Sequence, residues 1–170
     1  MAAPLSEFVE GFIYLDTMIL YSFVRADEAS RPILKRFFGS IEQGKITAFT
    51  SVLAFDELIH RLLLAAIRDK YSGSPLDRLR EQEQEMMAEF YPRILPPLRL
   101  LRHFPHLEVL GVLPADGDAM LDIVERYSLR PRDALHLSAM QKVECKALAS
   151  NDSDFDRVPG IQRFEVAFSR

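Results

Sequence analysis

The sequence predicts an α/β protein, a three-layer α/β/α sandwich around a mainly parallel central sheet, with a helical insertion. Two observations carry this. Short runs rich in aromatic and β-branched residues alternate along the chain with longer segments of helical periodicity, the pattern of crossovers that cover both faces of a parallel sheet. Acidic residues also recur where a strand gives way to a helix, beginning with Asp16 inside the apolar run FIYLDTMILY at residues 12–21. An ionised carboxylate drawn out of water is costly unless something compensates it, so Asp16 calls for a partner.

The elements follow in order. Residues 11–16 read as a strand ended by Asp16, and Thr17 is placed to cap a short helix through Val24. Ser30 precedes a helix whose apolar positions Ile33, Phe37, Phe38 and Ile41 keep helical spacing, with Gly44 as the stop. KITAFT (45–50) is a second strand, and Ser51 caps a long helix closed by Gly73. Residues 74–106 form a helical arm, expected to break at Pro92, Pro96–Pro97 and Pro105. Its apolar residues Leu76, Leu79, Met86, Met87 and Phe90 are read as a surface for a second copy or a partner helix, and its alternating Glu and Arg residues as a solvated face. LEVLGV (107–112) is a third strand, Pro114–Ala115–Asp116 opens a helix, and another begins at Pro131. KALAS (146–150) is a fourth strand, 151–160 a loop or short helical turn, and QRFEVAF (162–168) a last edge strand.

Composition bounds the class. At 170 residues, 48% hydrophobic and 27% charged, the chain reads as one globular domain spanning 1–170, with the 74–106 arm inserted in it. Cys145 is the single cysteine, which excludes an intramolecular disulfide, and no neighbouring base marks it as a nucleophile. No charged-then-apolar leader opens the sequence, and the longest uncharged apolar run, 62–67, is far short of the roughly 20 residues that cross a bilayer. The expectation is therefore a cytoplasmic protein without a membrane partner. A net charge of −4 argues against holding nucleic acid on a broad basic face, but not against recruiting cations to neutralise phosphates locally.

The acids matter most as a set. Asp16 ends the first strand, Glu57 lies in the second turn of the helix after the second, Asp133 in the first turn of the helix opening at Pro131, and Asp152 and Asp154 directly follow the fourth strand. Open α/β sheets bind ligands at the carboxyl ends of their strands, where the strand order reverses, and a parallel sheet would gather these acids at one rim. Singly, each of Glu57, Asp133, Asp152 and Asp154 is what a helix dipole attracts; together, several carboxylates in one pocket raise one another's pKa or demand a cation. With no His or Cys cluster nearby, the ligand set is oxygen only and favours Mg²⁺ or Mn²⁺.

YLDTMIL, TSVLAFDEL, RPRDALHLSAM and ASNDSDFDRVPG resemble, in order, the four acidic motifs of PIN-domain ribonucleases, and the likeness extends to toxins of the VapC type over nearly the whole chain. The resemblance implies phosphodiester hydrolysis in RNA with Mg²⁺ or Mn²⁺, silencing by a small antitoxin, and a homodimer. Carried over by motif, Asp16, Glu57, Asp133 and Asp152 are the four catalytic and metal-binding acids, and Asp154 is an auxiliary metal ligand. Met18 departs from the family pattern, in which many members have Ser or Asn two residues after the first Asp.

Around these acids, Thr17 and Ser51 read as helix caps or substrate contacts, Asp56 as a bystander on another helix face, His136 as a hydrogen-bonded, partly buried histidine, Asp156 as a surface acid, and Arg130 and Arg132 as phosphate contacts or solvated arginines. Two other Asp-centred enzymes fit poorly. A haloacid dehalogenase-type phosphatase needs a second Asp where Met18 stands, and a receiver-like phosphoacceptor needs a Lys after its last strands, whereas Lys146 precedes the fourth. The rival from another class is a PIN-fold interaction module that keeps the acids without nuclease activity.

Overall fold

The computed structural model describes residues 2–25 and 30–166. Its strands, β1 (Ala3–Pro4), β2 (Gly11–Leu15), β3 (Ile46–Ser51), β4 (Leu107–Leu110), β5 (Ala147–Ala149) and β6 (Gln162–Glu165), form a single sheet of order β1-β6-β5-β2-β3-β4. Every pairing is parallel. The helices are α1 (Thr17–Val24), α2 (Arg31–Glu42), α3 (Val52–Lys70), α4 (Pro75–Glu81), α5 (Glu83–Arg102), α6 (Pro114–Tyr127) and α7 (Pro131–Lys142).

Alternation along β2 builds the three layers. Ile13 and Leu15 point into a core shared with α1, α2, α3 and α5, while Tyr14 between them points into a second core with α6 and α7. Leu148 and Ala149 of β5 divide in the same way. The predicted α/β/α sandwich is the observed one. Gly44 ends the connection from α2 as expected: its φ is +75°, and a Cβ there would fall 3.1 Å from the His106 ring, so both backbone and space favour glycine.

Three expectations change. β6 is not an edge, because β1, invisible as a strand at two residues long, pairs along its outer side; residues 167–168 of the predicted last strand lie outside the described residues. The arm does not break at Pro92, Pro96 and Pro97, since α5 runs through all three. Those prolines are exposed, where water can take up the carbonyls they free, while Met86, Phe90, Ile94, Leu98 and Leu101 on the opposite side are buried and pack the helix onto α3. For the same reason the Met86–Phe90 face is no docking surface. At 3% exposure each, these two side chains belong to the core.

The joint between α6 and α7 rests on Asp116, a buried acid that no sequence motif singled out. Its carboxylate accepts from the Leu113 backbone N–H at 2.6 Å, capping α6, from Ser138 Oγ at 2.8 Å and from Lys142 Nζ at 2.8 Å. Burial opposes the anion, but Lys142, the backbone N–H and Ser138 outweigh it and hold the carboxyl below its ordinary pKa. Among the described residues no helix is long and apolar enough to cross a membrane. Asp116→Ala removes a cap and orphans a buried hydroxyl, so urea denaturation should show a loss of about 2–4 kcal/mol; a loss below about 0.5 kcal/mol would remove the joint from Asp116's account.

Candidate metal centre

The sheet switches direction at β2, which has β3 on one side and β5 on the other. A crevice opens beyond the carboxyl ends of strands at such a point. Asp16 is the first residue past β2, and its backbone N–H donates to the Ala149 carbonyl at the end of β5, 3.1 Å away. Ser150, the first residue past β5, donates from Oγ to Asp16 Oδ2 at 2.7 Å and accepts the Asp152 backbone N–H at 3.0 Å. One hydroxyl thus ties together the two strand ends that carry the acids. The buried Arg163 guanidinium, gripped by Asp156 through two bonds, donates to the Ser150 carbonyl, and the Asn151 side chain pairs with both backbone groups of Val166. Asp156 is the surface acid read from the sequence, and it also fixes the Arg163 guanidinium that holds this loop.

The predicted acids fall into two adjoining groups. Asp133, Asp152 and Asp154 present oxygens within 4.8 Å of one another, and Asp16 and Glu57 present oxygens equally close to each other and to a ring nitrogen of His136. Asp16 belongs to both neighbourhoods electrostatically, since its charge acts on Asp133 as well. The first group is short of counter-charge. One Asp133 oxygen, Oδ2, is buried without a hydrogen-bond partner, and burial, then the charges of Asp152 and Asp16, push the Asp133 carboxyl up to about 6 against the pull of His136 and Arg130. Asp152 spends one oxygen on the Asp154 N–H, at 2.9 Å, capping the short 3₁₀ turn Ser153–Arg157, and Asp154 pairs with Arg157.

Glu57 is the opposite case. Burial works against its anion, but hydrogen bonds from His136 and Thr17 and the charges of His136 and Arg132 prevail and pull the carboxyl down to about 2. Thr17 Oγ1 donates to Glu57 Oε2 at 2.5 Å, and Arg132 Nη1 lies 3.1 Å from Oε1. Thr17 is accordingly no cap; the cap position of α1 is taken by Asp16, whose side chain makes no capping bond. Ser51 likewise stands at the start of α3 without a capping bond from its side chain. Arg132, expected in solvent or on phosphate, is tethered to Glu57 while its side chain stays 66% exposed at the rim. Asp56 is exposed and stands apart, as expected. Cys145 is buried and donates to the Ala147 carbonyl, and burial pushes its thiol pKa up, in keeping with a lone thiol without an activating base.

Sequence reasoning missed two residues of the site. Ser150 carried no signal beyond being the last polar residue before Asp152. His136 was read as a hydrogen-bonded, partly buried ring; it is hydrogen-bonded but fully buried, at 1% exposure. Its place beside Asp16 and Glu57 was not anticipated, and it qualifies the oxygen-only description of the pocket. The spacing of His136 one turn after Asp133 was the available clue.

The fold and the site define an α/β protein with an acidic pocket at the carboxyl rim of a parallel sheet. The chain belongs to the PIN-domain family, whose model, the PIN domain, matches residues 13–161. Similar solved structures include VapC20 of Mycobacterium tuberculosis, a sarcin–ricin-loop-cleaving toxin, at 16% identity and a TM-score of 0.57 over 85% of this chain and 92% of that one. VapBC2 of Rickettsia felis, bound to a DNA fragment from its promoter, gives 15% and 0.53 over 91% and 98%. A toxin–antitoxin complex of Klebsiella pneumoniae gives 15% and 0.52 over 88% and 94%. At these identities the likeness is one of fold. No curated protein matches the chain in sequence.

The Asp133 environment sets a pH dependence. A carboxyl whose folded pKa is raised to about 6 contributes stability that is full below its unfolded pKa and lost as pH rises through 6. Asp133→Asn abolishes that loss. In metal-free buffer the variant should gain on wild type between about pH 4 and pH 7, by at most about 3 kcal/mol at about 1.4 kcal/mol per unit. Melting curves across that window measure it, and a difference that stays flat with pH would show that Asp133 is not under this strain.

Proposed function

We propose that this protein is a Mg²⁺- or Mn²⁺-dependent endoribonuclease, comprising one nuclease domain over the whole chain, and the toxin of a toxin–antitoxin pair. The observation that supports it most is the orphaned Asp133 oxygen, buried among Asp152, Asp154 and Asp16 in a pocket with too little positive charge of its own. An unsatisfied buried acceptor beside several carboxylates fits a hard divalent cation. Asp16, Asp133 and Asp152 would hold it, with Asp154 auxiliary and Glu57 at the margin. Such a cation, when bound, supplies an acidified water and neutralises charge on a phosphate.

The chain's own groups do the rest. Ser150 keeps Asp16 turned towards the pocket by holding Oδ2. Glu57, at about 2, is too weak a base to take a proton from water at neutral pH and serves as a fixed negative charge and hydrogen-bond acceptor. Arg132, anchored at one end by Glu57 and largely exposed, and Arg130 next to it offer positive charge to RNA phosphates at the rim of a protein that is otherwise net negative. The antitoxin partner rests on the similar toxin–antitoxin structures, and the homodimer on the family resemblance; neither uses the buried Met86–Phe90 face.

Purified protein should cleave single-stranded RNA in Mn²⁺ or Mg²⁺, stop in EDTA, and lose activity with Asp16→Asn. Protein inert on varied RNAs with either metal would instead favour a PIN-fold interaction module. Melting of Asp16→Asn gives an independent check. The change relieves repulsion but removes a ligand, so in EDTA the variant should melt at or above the wild-type temperature. In millimolar Mn²⁺ only wild type should rise, as ligand-linked stability requires. A variant that melts lower in EDTA and gains as much from Mn²⁺ as wild type contradicts the ligand assignment.

A further inference from the structure

His136 reaches the acids from α7, the layer that holds Tyr14, and both of its ring nitrogens face protein groups. Nε2 lies 3.4 Å from Glu57 Oε2 and 3.9 Å from Asp16 Oδ1. Nδ1 lies 2.8 Å from the Tyr14 hydroxyl. Carboxylate oxygens at these positions only accept, so Nε2 carries a hydrogen whichever charge state the ring adopts. Tyr14 agrees with that assignment. Its side chain is fully buried, and its hydroxyl suits either state of the ring, donating to Nδ1 when the ring is neutral and accepting from Nδ1–H when it is charged. In both states Nε2–H faces Glu57 and Nδ1 is paired with Tyr14.

We propose that His136 is a positioning residue of the metal site, held by Tyr14 so that Nε2–H is directed at Glu57 with Asp16 close by, and not a metal ligand. The proposal rests on the reading of the pocket as a metal centre. Its consequence is chemical. A ring nitrogen free to ligate would favour softer, nitrogen-seeking ions, whereas an N–H turned towards the carboxylates leaves the ligand set all oxygen and suited to Mg²⁺ or Mn²⁺. For Nε2 to bind a metal, the proton would have to move to Nδ1 and the Tyr14 O–H turn away. The pairing also explains Glu57: with Thr17, Arg132 and His136 all on its oxygens, it is oriented before any ion arrives.

Calorimetric titration of metal-free protein with Mn²⁺ tests this. Partners outside the ligand shell typically carry roughly 10–100-fold of metal affinity, so His136→Leu should bind Mn²⁺ at least about tenfold more weakly. His136→Gln, whose amide N–H can replace the Nε2 donor, should recover to within about threefold of wild type. Tyr14→Phe, which deletes one hydroxyl and leaves the ring in place, should weaken Mn²⁺ about threefold to tenfold and carries the test if His136→Leu does not fold. Glutamine as weak as leucine would make His136 a ligand and overturn the proposal, as would wild-type affinity in both His136→Leu and Tyr14→Phe. Wild type that binds no Mn²⁺ fails at an earlier step, removing the metal centre itself.

Discussion

Several carboxylates held at one rim of a parallel sheet repel each other, and the structure around the pocket is organised by that repulsion. Asp16 cannot move away, because its backbone is bonded to β5 and its side chain to Ser150. Asp152 is fixed by the same serine through its N–H. The protein therefore distributes the charge. Glu57 is held ionised by a threonine, an arginine and a histidine, and is driven to about 2; Asp133 is short of compensation and rises to about 6. Groups whose surroundings drive their pKa values apart in this way are a mark of functional sites.

This division follows from topology. β2 is central and is the first long strand, so the chain passes from it to β3 on one side and later returns to β5 on the other. The switch in direction leaves a gap above β2 and β5 that no crossover covers. Acids placed just past the ends of those strands enter the gap from the sheet, and α3 and α7 bring Glu57 and Asp133 to it from opposite layers. Arg163 and Asn151, whose side chains bond to backbone groups of Ser150 and Val166, hold the loop after β5 in place.

The proline-rich α5 illustrates how tertiary packing overrides a local rule. Proline disfavours a helix interior by removing one hydrogen bond and crowding the preceding turn. Here that penalty falls on a solvent-facing side, while five large apolar residues on the other side are buried against the core. Burying such side chains contributes about 1.5–3 kcal/mol each, a sum of the same order as the roughly 3 kcal/mol that each interior proline costs, and the helix persists through all three. The same packing removed the apolar face that looked available for assembly.

The layered α/β order, the boundaries of most strands and helices, and the positions of Asp16, Asp152 and Asp154 just past strand ends and of Glu57 and Asp133 near the starts of helices were legible in the sequence, because periodicity and capping are local and are written into neighbouring residues. The pairing of those acids was not. That Thr17 would serve Glu57 and not its own helix, that Arg132 would turn inward to the same carboxylate, and that Ser150 would bridge two strand ends depend on contacts between residues 40, 75 and 134 positions apart. The two-residue β1 was equally hidden, since so short a strand exists only through the partner it pairs with. The sequence alone determined which residues could carry charge to the rim. The tertiary structure decided which of those charges is compensated and which is not, because the energy of a carboxylate depends on the distance and burial of groups the chain brings together only when folded.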